Sequence, residues 1–276
     1  MAATDMNRNG RSSRHLVRRA GVFAIVLCIC FAGSRGVASS ATGKDETTLA
    51  SSDGSAATYF AGENLEYKLG WAAFSNAADV QLAVVEQRQP TASPLLHLRA
   101  TLRSLPPLRN LFPVDDQFES FSDARTLESR QYEFHLNELG ETENRVAHLA
   151  TVAGARAAHL PGVIVPAGTQ DPLGVLYSMR AVDWTREPTF KTLMFDGNDI
   201  FEVRAHVEVL SETLAAASTN FRASRIEVRL FQHGDEVPKT ALSIWFADER
   251  RHTPVLLEAA TPYGNIRAEL LANGKR

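Results

Sequence analysis

Beyond residue 30 the chain contains no cysteine; the two it has, Cys28 and Cys30, share one apolar run near the N-terminus. A product cut beyond that run has no disulfide, no thiol chemistry and no cysteine-bound metal. Long apolar stretches are lacking too. The run "GVFAIVLCICFAG", Gly21 to Gly33, is too short to span a bilayer comfortably. Positive charge is in the minority outside the first residues. Residues 1–38 hold six arginines and one aspartate, so a whole-chain charge of −3 leaves the remainder at −8. That sign argues against nucleic acid as a partner and against docking on anionic lipid by general attraction. Aromatic residues make up 8% and do not recur at strand ends, which argues against the girdles of an outer-membrane barrel. G-x-S-x-G, H-E-x-x-H, P-loop and G-x-G-x-x-G signatures are all missing. The eight histidines are scattered, with no pair at metal-ligand spacing. No cofactor, metal or catalytic role is expected.

What is present begins with an address. Arg8, Arg11, Arg14, Arg18 and Arg19 precede the apolar run, and Gly36 and Ala38 offer small residues for a signal peptidase. Residues 1–38 therefore read as a cleaved signal peptide, cut near Ala38–Ser39, which predicts a periplasmic protein. Acylation at Cys28 fits poorly, because Leu27 stands where a small residue is needed. A twin-arginine signal at Arg18–Arg19 meets Gly21 and Val22 at its bulky positions. An uncleaved anchor holding the domain on the inner membrane is the main alternative. Residues 39–58, "SSATGKDETTLASSDGSAAT", are small and polar and read as a disordered linker.

Residues 59–272 read as a single β domain. Leu65, Tyr67, Leu69 and Trp71 alternate with Glu66, Lys68 and Gly70. The same period of two runs through Val80–Val84, Leu96–Leu102, Val203–Val209, Ile226–Leu230 and Ile266–Leu270. Side chains alternate across a strand, so each segment has one apolar and one charged face. Turn chemistry at "QRQPTASP", "FDGND", "HGDEVP" and "TPYGN" separates them. The expected fold is mainly β: a curved antiparallel meander sheet or open barrel of about eleven strands with one inserted α-helix. The helix falls at "DPLGVLYSMR", where Asp171 is the N-cap and Pro172 the first helical residue. Leu173, Val175, Leu176, Tyr177, Met179 and Val182 make it apolar over most of its circumference, so it should lie in the sheet's concavity. Gly174 weakens it by about 1 kcal/mol against alanine.

Three clusters invite chemistry. "DGND", Asp196 to Asp199, could hold calcium but reads better as a tight hairpin. "PVDDQFESFSD", Pro113 to Asp123, gathers four acids, and paired carboxylates can hydrolyse glycosides. Phe112, Phe118 and Phe121 more simply anchor a long loop there, Leu105 to Phe118. "DERRH", Asp248 to His252, reads as the tip of a hairpin whose charges neutralise one another. His97, His135 and His206 fall on polar strand faces and read as surface residues.

Three blocks then converge on one family. "F-A-G-E-N-L-E-Y-K-L-G-W" (Phe60–Trp71), "D-P-L-G-V-L-Y-S-M-R" (Asp171–Arg180) and "W-F-A-D-E-R-R-H-T-P-V" (Trp245–Val255) with "T-P-Y-G-N-I" (Thr261–Ile266) stand in order along the chain. Together they resemble the exported bacterial family of domain of unknown function 3108. The resemblance implies an envelope-associated β protein and brings no activity. Two functions follow from the residues. One is a carrier or binding module for a lipid or other apolar ligand, with Tyr67, Trp71, Tyr177 and Trp245 as lining residues and Arg180 meeting a headgroup. All five also read as plain core. The other is an envelope assembly or protein-interaction factor. A hydrolase whose Asp and His residues converge only in the fold is third.

Overall fold

The structure is a computed structural model that describes residues 61–85, 95–151, 162–238, 240–261 and 264–271. The signal-peptide, linker and "QRQPTASP" readings lie outside these residues.

Fifteen strands form one sheet. They are β1 (Asn64–Trp71), β2 (Phe74–Val85), β3 (Leu95–Ser104), β4 (Asp115–Asp123), β5 (Ser129–Glu138), β6 (Glu141–Thr151), β7 (Val163–Val165) and β8 (Thr169–Gln170). After the helix α1 (Pro172–Ala181) come β9 (Thr189–Phe195), β10 (Ile200–Ala216), β11 (Thr219–Gln232), β12 (Asp235–Glu236), β13 (Leu242–Ala247), β14 (Pro254–Thr261) and β15 (Gly264–Leu270). Apart from β7 and β8, strands that adjoin in the sheet pair antiparallel, and β1 pairs with β15, so the first and last strands lie side by side.

The two free edges of this path meet at a seam. There β7 pairs parallel with β6 and β8 parallel with β9. The short stretch between β7 and β8 thus joins the edges through the chain itself. At one end of the seam Arg145 of β6 donates to the side-chain oxygen of Asn198, in the β9–β10 turn. The result is a nearly closed barrel, tighter than an open sheet.

Its polarity follows the period of two. Leu65, Tyr67 and Leu69 point inward with Val80, Leu82, Val84, Ile226, Val228, Ile244 and Ala268, all buried. Outward positions hold charges, paired across strands as in Lys191–Glu202, Arg267–Glu258 and Arg225–Glu208. A barrel facing hydrocarbon needs the reverse. Among the described residues no helix is long and apolar enough to cross a membrane.

The helix fills the lumen. Asp171 caps it, accepting from the backbone N–H of Leu173 and Gly174 at 2.9 and 3.0 Å. Every residue from Pro172 to Arg180 except Ser178 is buried. An all-round apolar helix needs such a surrounding shell.

Two expectations need correction. Eleven strands is an undercount, and the stretch expected as a loop from Leu105 to Phe118 becomes strand β4 at Asp115, after a 3-10 turn at Leu108–Asn110. The reason is chemical: the inward positions of β4 are Asp116, Phe118, Ser120 and Ser122, polar except one. That breaks the apolar alternation by which the other strands are recognised. The "FDGND" hairpin is present as the β9–β10 turn, with Asp196 Oδ1 accepting from the N–H groups of Asn198 and Asp199 at 2.8 Å each.

Candidate functional site

At one mouth of the barrel β1 begins, β15 ends, the β10–β11 hairpin turns and the β13–β14 turn closes. A cleft of about 550 Å³ opens among them. Leu65, Phe221, Val255 and Leu270 give it an apolar floor, while Glu63, Arg222, Asp248, Glu249 and Arg251 stand around it.

The long β10–β11 ribbon supplies one wall because it bends. Register shifts fall between Val207 and Val209 and between Val209 and Glu212, and Ser211 has φ +56°. Bulges turn a ribbon sharply. Beyond the bend its tip reaches β15, where the N–H of Ala217 donates to Glu269 Oε2 at 3.0 Å.

The "DERRH" turn supplies the adjoining wall, and the side chains of its two acids and its histidine take partners from outside the turn. Asp248 accepts from the hydroxyls of Ser211 and Ser224 and lies 3.9 Å from Arg222. Glu249 accepts from Thr253, and a His252 ring nitrogen meets the carbonyl of Arg180 at 2.9 Å. Each of these partners comes from outside the five residues.

Behind the cleft lies a buried polar cluster. Arg180, 0% exposed, donates to both oxygens of Glu63, 4% exposed, at 2.9 and 2.8 Å, and to the carbonyl of Arg251 at 3.3 Å. Its guanidinium lies 4.8 Å from the centre of the Tyr177 ring. Burial pulls the Arg180 pKa down, but the Glu63 hydrogen bonds and nearby anionic groups outweigh it and the net shift is upward. Tyr67 completes the cluster and donates to the carbonyl of Pro254 at 2.7 Å. Burial, opposed by Arg180, raises its phenol well above the ordinary range.

Beneath this cluster, between α1 and the sheet, is an apolar cavity of about 60 Å³ bounded by Tyr67, Val175, Leu176, Met179, Val228 and Ile244, among others. It is far below the ~300–1,000 Å³ of small-molecule pockets. The helix has taken the space an acyl chain would need.

Of the five candidates from the sequence, Tyr67, Tyr177 and Arg180 converge. Trp71 is at the far end of β1, with its ring centre 6.5 Å from Phe74 and 6.4 Å from Phe112. Trp245 is on the outward side of β13, its indole N–H donating to Glu212 at 2.5 Å. Glu63 was not anticipated, nor were the ribbon residues Thr219 to Arg222. One signal for Glu63 exists: it is a charge in phase with the inward-facing Leu65, Tyr67 and Leu69.

A second polar group sits at the other end of the helix. The Asp171 carboxylate accepts from Ser120 and Ser129 at 2.5 Å each, while its own N–H donates to Ser129 Oγ at 2.7 Å. Burial still raises its pKa against these bonds. The cluster fastens α1 to β4 and β5. Among the described residues no group of three or more His, Cys, Asp or Glu side chains is placed to hold a metal ion.

An antiparallel barrel plugged by its own helix, with a ligand-sized cleft at one mouth, is the class of protein these features define. The chain belongs to the family described as protein of unknown function (DUF3108), which matches residues 66–271, in agreement with the motifs. No curated protein matches it. Similar solved structures include a β-barrel-like protein of domain of unknown function DUF1849 from Brucella abortus, 13% identical over 75% of this chain and 94% of the other, with a TM-score of 0.47. Another is a Bacteroides fragilis protein described as exported and as having a YmcC-like fold, 9% identical over 76% and 94%, with a TM-score of 0.32. Likenesses this loose carry no argument about function.

Proposed function

We propose that the chain is a non-catalytic binding module of the cell envelope that takes an apolar or amphiphilic ligand in the mouth cleft. The observation that supports it is the cleft itself. Its 550 Å³ lies within the usual range for small-molecule sites, and an apolar floor under a polar, charged rim suits a ligand with both kinds of surface. The barrel interior is a poorer candidate, because α1 leaves only about 60 Å³ there. An N-terminal signal peptide delivering the domain to the periplasm agrees with this role, as does a cysteine-free mature chain.

Uptake of the neutral fluorescent probe N-phenyl-1-naphthylamine tests the site. Half-buried Phe221 lies in the apolar floor of the cleft, so Phe221→Glu should weaken the probe at least tenfold while melting stays within a few degrees. Undiminished uptake would remove the cleft from consideration.

A protein-interaction role rests on a different feature. Leu111 and Leu139, 65% and 61% exposed, stand at the opposite end of the barrel with Phe112 and Trp71 close by. Cross-linking in cells that traps one dominant envelope protein through this end would favour that reading.

A further inference from the structure

The geometry points to a carboxylate-headed amphiphile as the ligand of the mouth cleft, with Arg180 as its anchor and Glu63 as the internal group it displaces. This inference rests on the cleft being a binding site.

Three observations carry it. First, Glu63 and Arg251 both line the cleft, and both bond Arg180, so the guanidinium lies directly behind the cleft wall. Second, Glu63 holds Arg180 through two parallel hydrogen bonds, the arrangement in which a planar guanidinium recognises any carboxylate. A ligand carboxylate can occupy the same two positions without changing the buried charge balance. Third, an apolar surface lies beside this position. Leu65 follows Glu63 on the same face of the chain, and Val255 and Leu270 complete the floor on which an alkyl chain would lie.

Glu63 is suited to leave. It precedes β1 instead of lying within it, and its side chain borders the cleft, so the displaced carboxylate can rotate into water and be solvated there. Arg180 is not suited to leave, being fully buried on a helix fastened at its other end by Asp171. An uncompensated buried cation is costly, which is why the site holds its own carboxylate when no ligand is bound. Competition from Glu63 makes the empty protein stable and lowers the affinity for the ligand.

The test uses residues 39–276 with dansylaminoundecanoic acid and its methyl ester as probes. In the wild type the acid should bind more tightly than the ester. Glu63→Gln keeps a hydrogen-bonding side chain but loses the competing charge. It should tighten the acid about tenfold and leave the ester within twofold. The double variant Glu63→Leu/Arg180→Met replaces the pair by apolar side chains of similar size, a change that buried ion pairs often tolerate. It should bind acid and ester equally.

Equal affinity for acid and ester in the wild type and in Glu63→Gln would overturn the headgroup assignment while leaving the cleft as a binding site. Failure of both probes to bind any of the three proteins would overturn the cleft as well. A double variant that still prefers the acid would move the anchor away from Arg180.

Discussion

Asp116 shows how a single residue can couple this fold to pH. It points inward from β4 and is 3% exposed. Its Oδ1 accepts from the N–H of Asn137 at 2.9 Å. No donor from another described residue reaches its Oδ2 or Glu138 Oε1, both buried, and a proton shared between the two acids satisfies both. Burial, with the Glu138 and Asp115 charges adding to it, lifts Asp116 from 3.8 to about 7. A carboxyl raised on folding binds its proton more tightly in the folded state. Stability from this group is therefore full below about pH 4 and declines as pH rises toward 7. Asp116→Asn retains the acceptor and supplies a permanent donor to Glu138. It should stabilise the protein at pH 8 by on the order of 1–2 kcal/mol and hardly at all at pH 4.5. Urea midpoints of the two proteins at both pH values check this, and an equal gain at both would mean that the pair does not titrate.

At the scale of elements the helix was easy to read and its setting was not. Asp171, Pro172 and the apolar spacing announce α1 by local chemistry, since capping and periodicity are properties of neighbouring residues. Gly174 looked like a defect in it. The structure gives a reason: a Cβ there would stand 3.1 Å from the carbonyl oxygen of Leu127 and 3.3 Å from Gln170 Cβ. Neither neighbour yields readily. Leu127 is tied to Asp123 through its N–H, and Gln170 Nε2 donates to the Thr126 carbonyl and to Ser178. Gly174→Ala should therefore lower the melting temperature by a few degrees, although alanine is the better helix former by about 1 kcal/mol. A rise in melting temperature would show that the β4–β5 turn can give way. Strand β4 was illegible for a related reason. Ser120 and Ser122 look wrong for an inward face until Asp171, 51 residues from Ser120, arrives to be hydrogen-bonded.

Over the whole molecule, apolar burial dominates and the outer ion pairs decorate. The outward faces carry many pairs, such as Arg225–Glu208, Arg229–Glu236 and Arg204–Glu202, with side chains partly exposed to water. Exposed pairs of this kind contribute little and are screened by salt. Raising sodium chloride from 50 to 500 mM should thus move the melting temperature by less than about 3 °C. A large fall would mean that the charged shell, not the lumen around α1, holds the barrel closed. The seam belongs to this scale too. β7 and β8 are three and two residues long, too short to announce themselves by periodicity.

Alternation, capping and turn chemistry act over a few residues, so the chain alone determined a mainly β domain with one buried helix and charges turned outward. Which strands meet at the seam, and that Glu63 should find Arg180 across 117 residues, were decided only by the tertiary structure. Polar groups that face inward defy local patterns. They are stable only with partners brought from distant parts of the chain, and no local pattern names the partner.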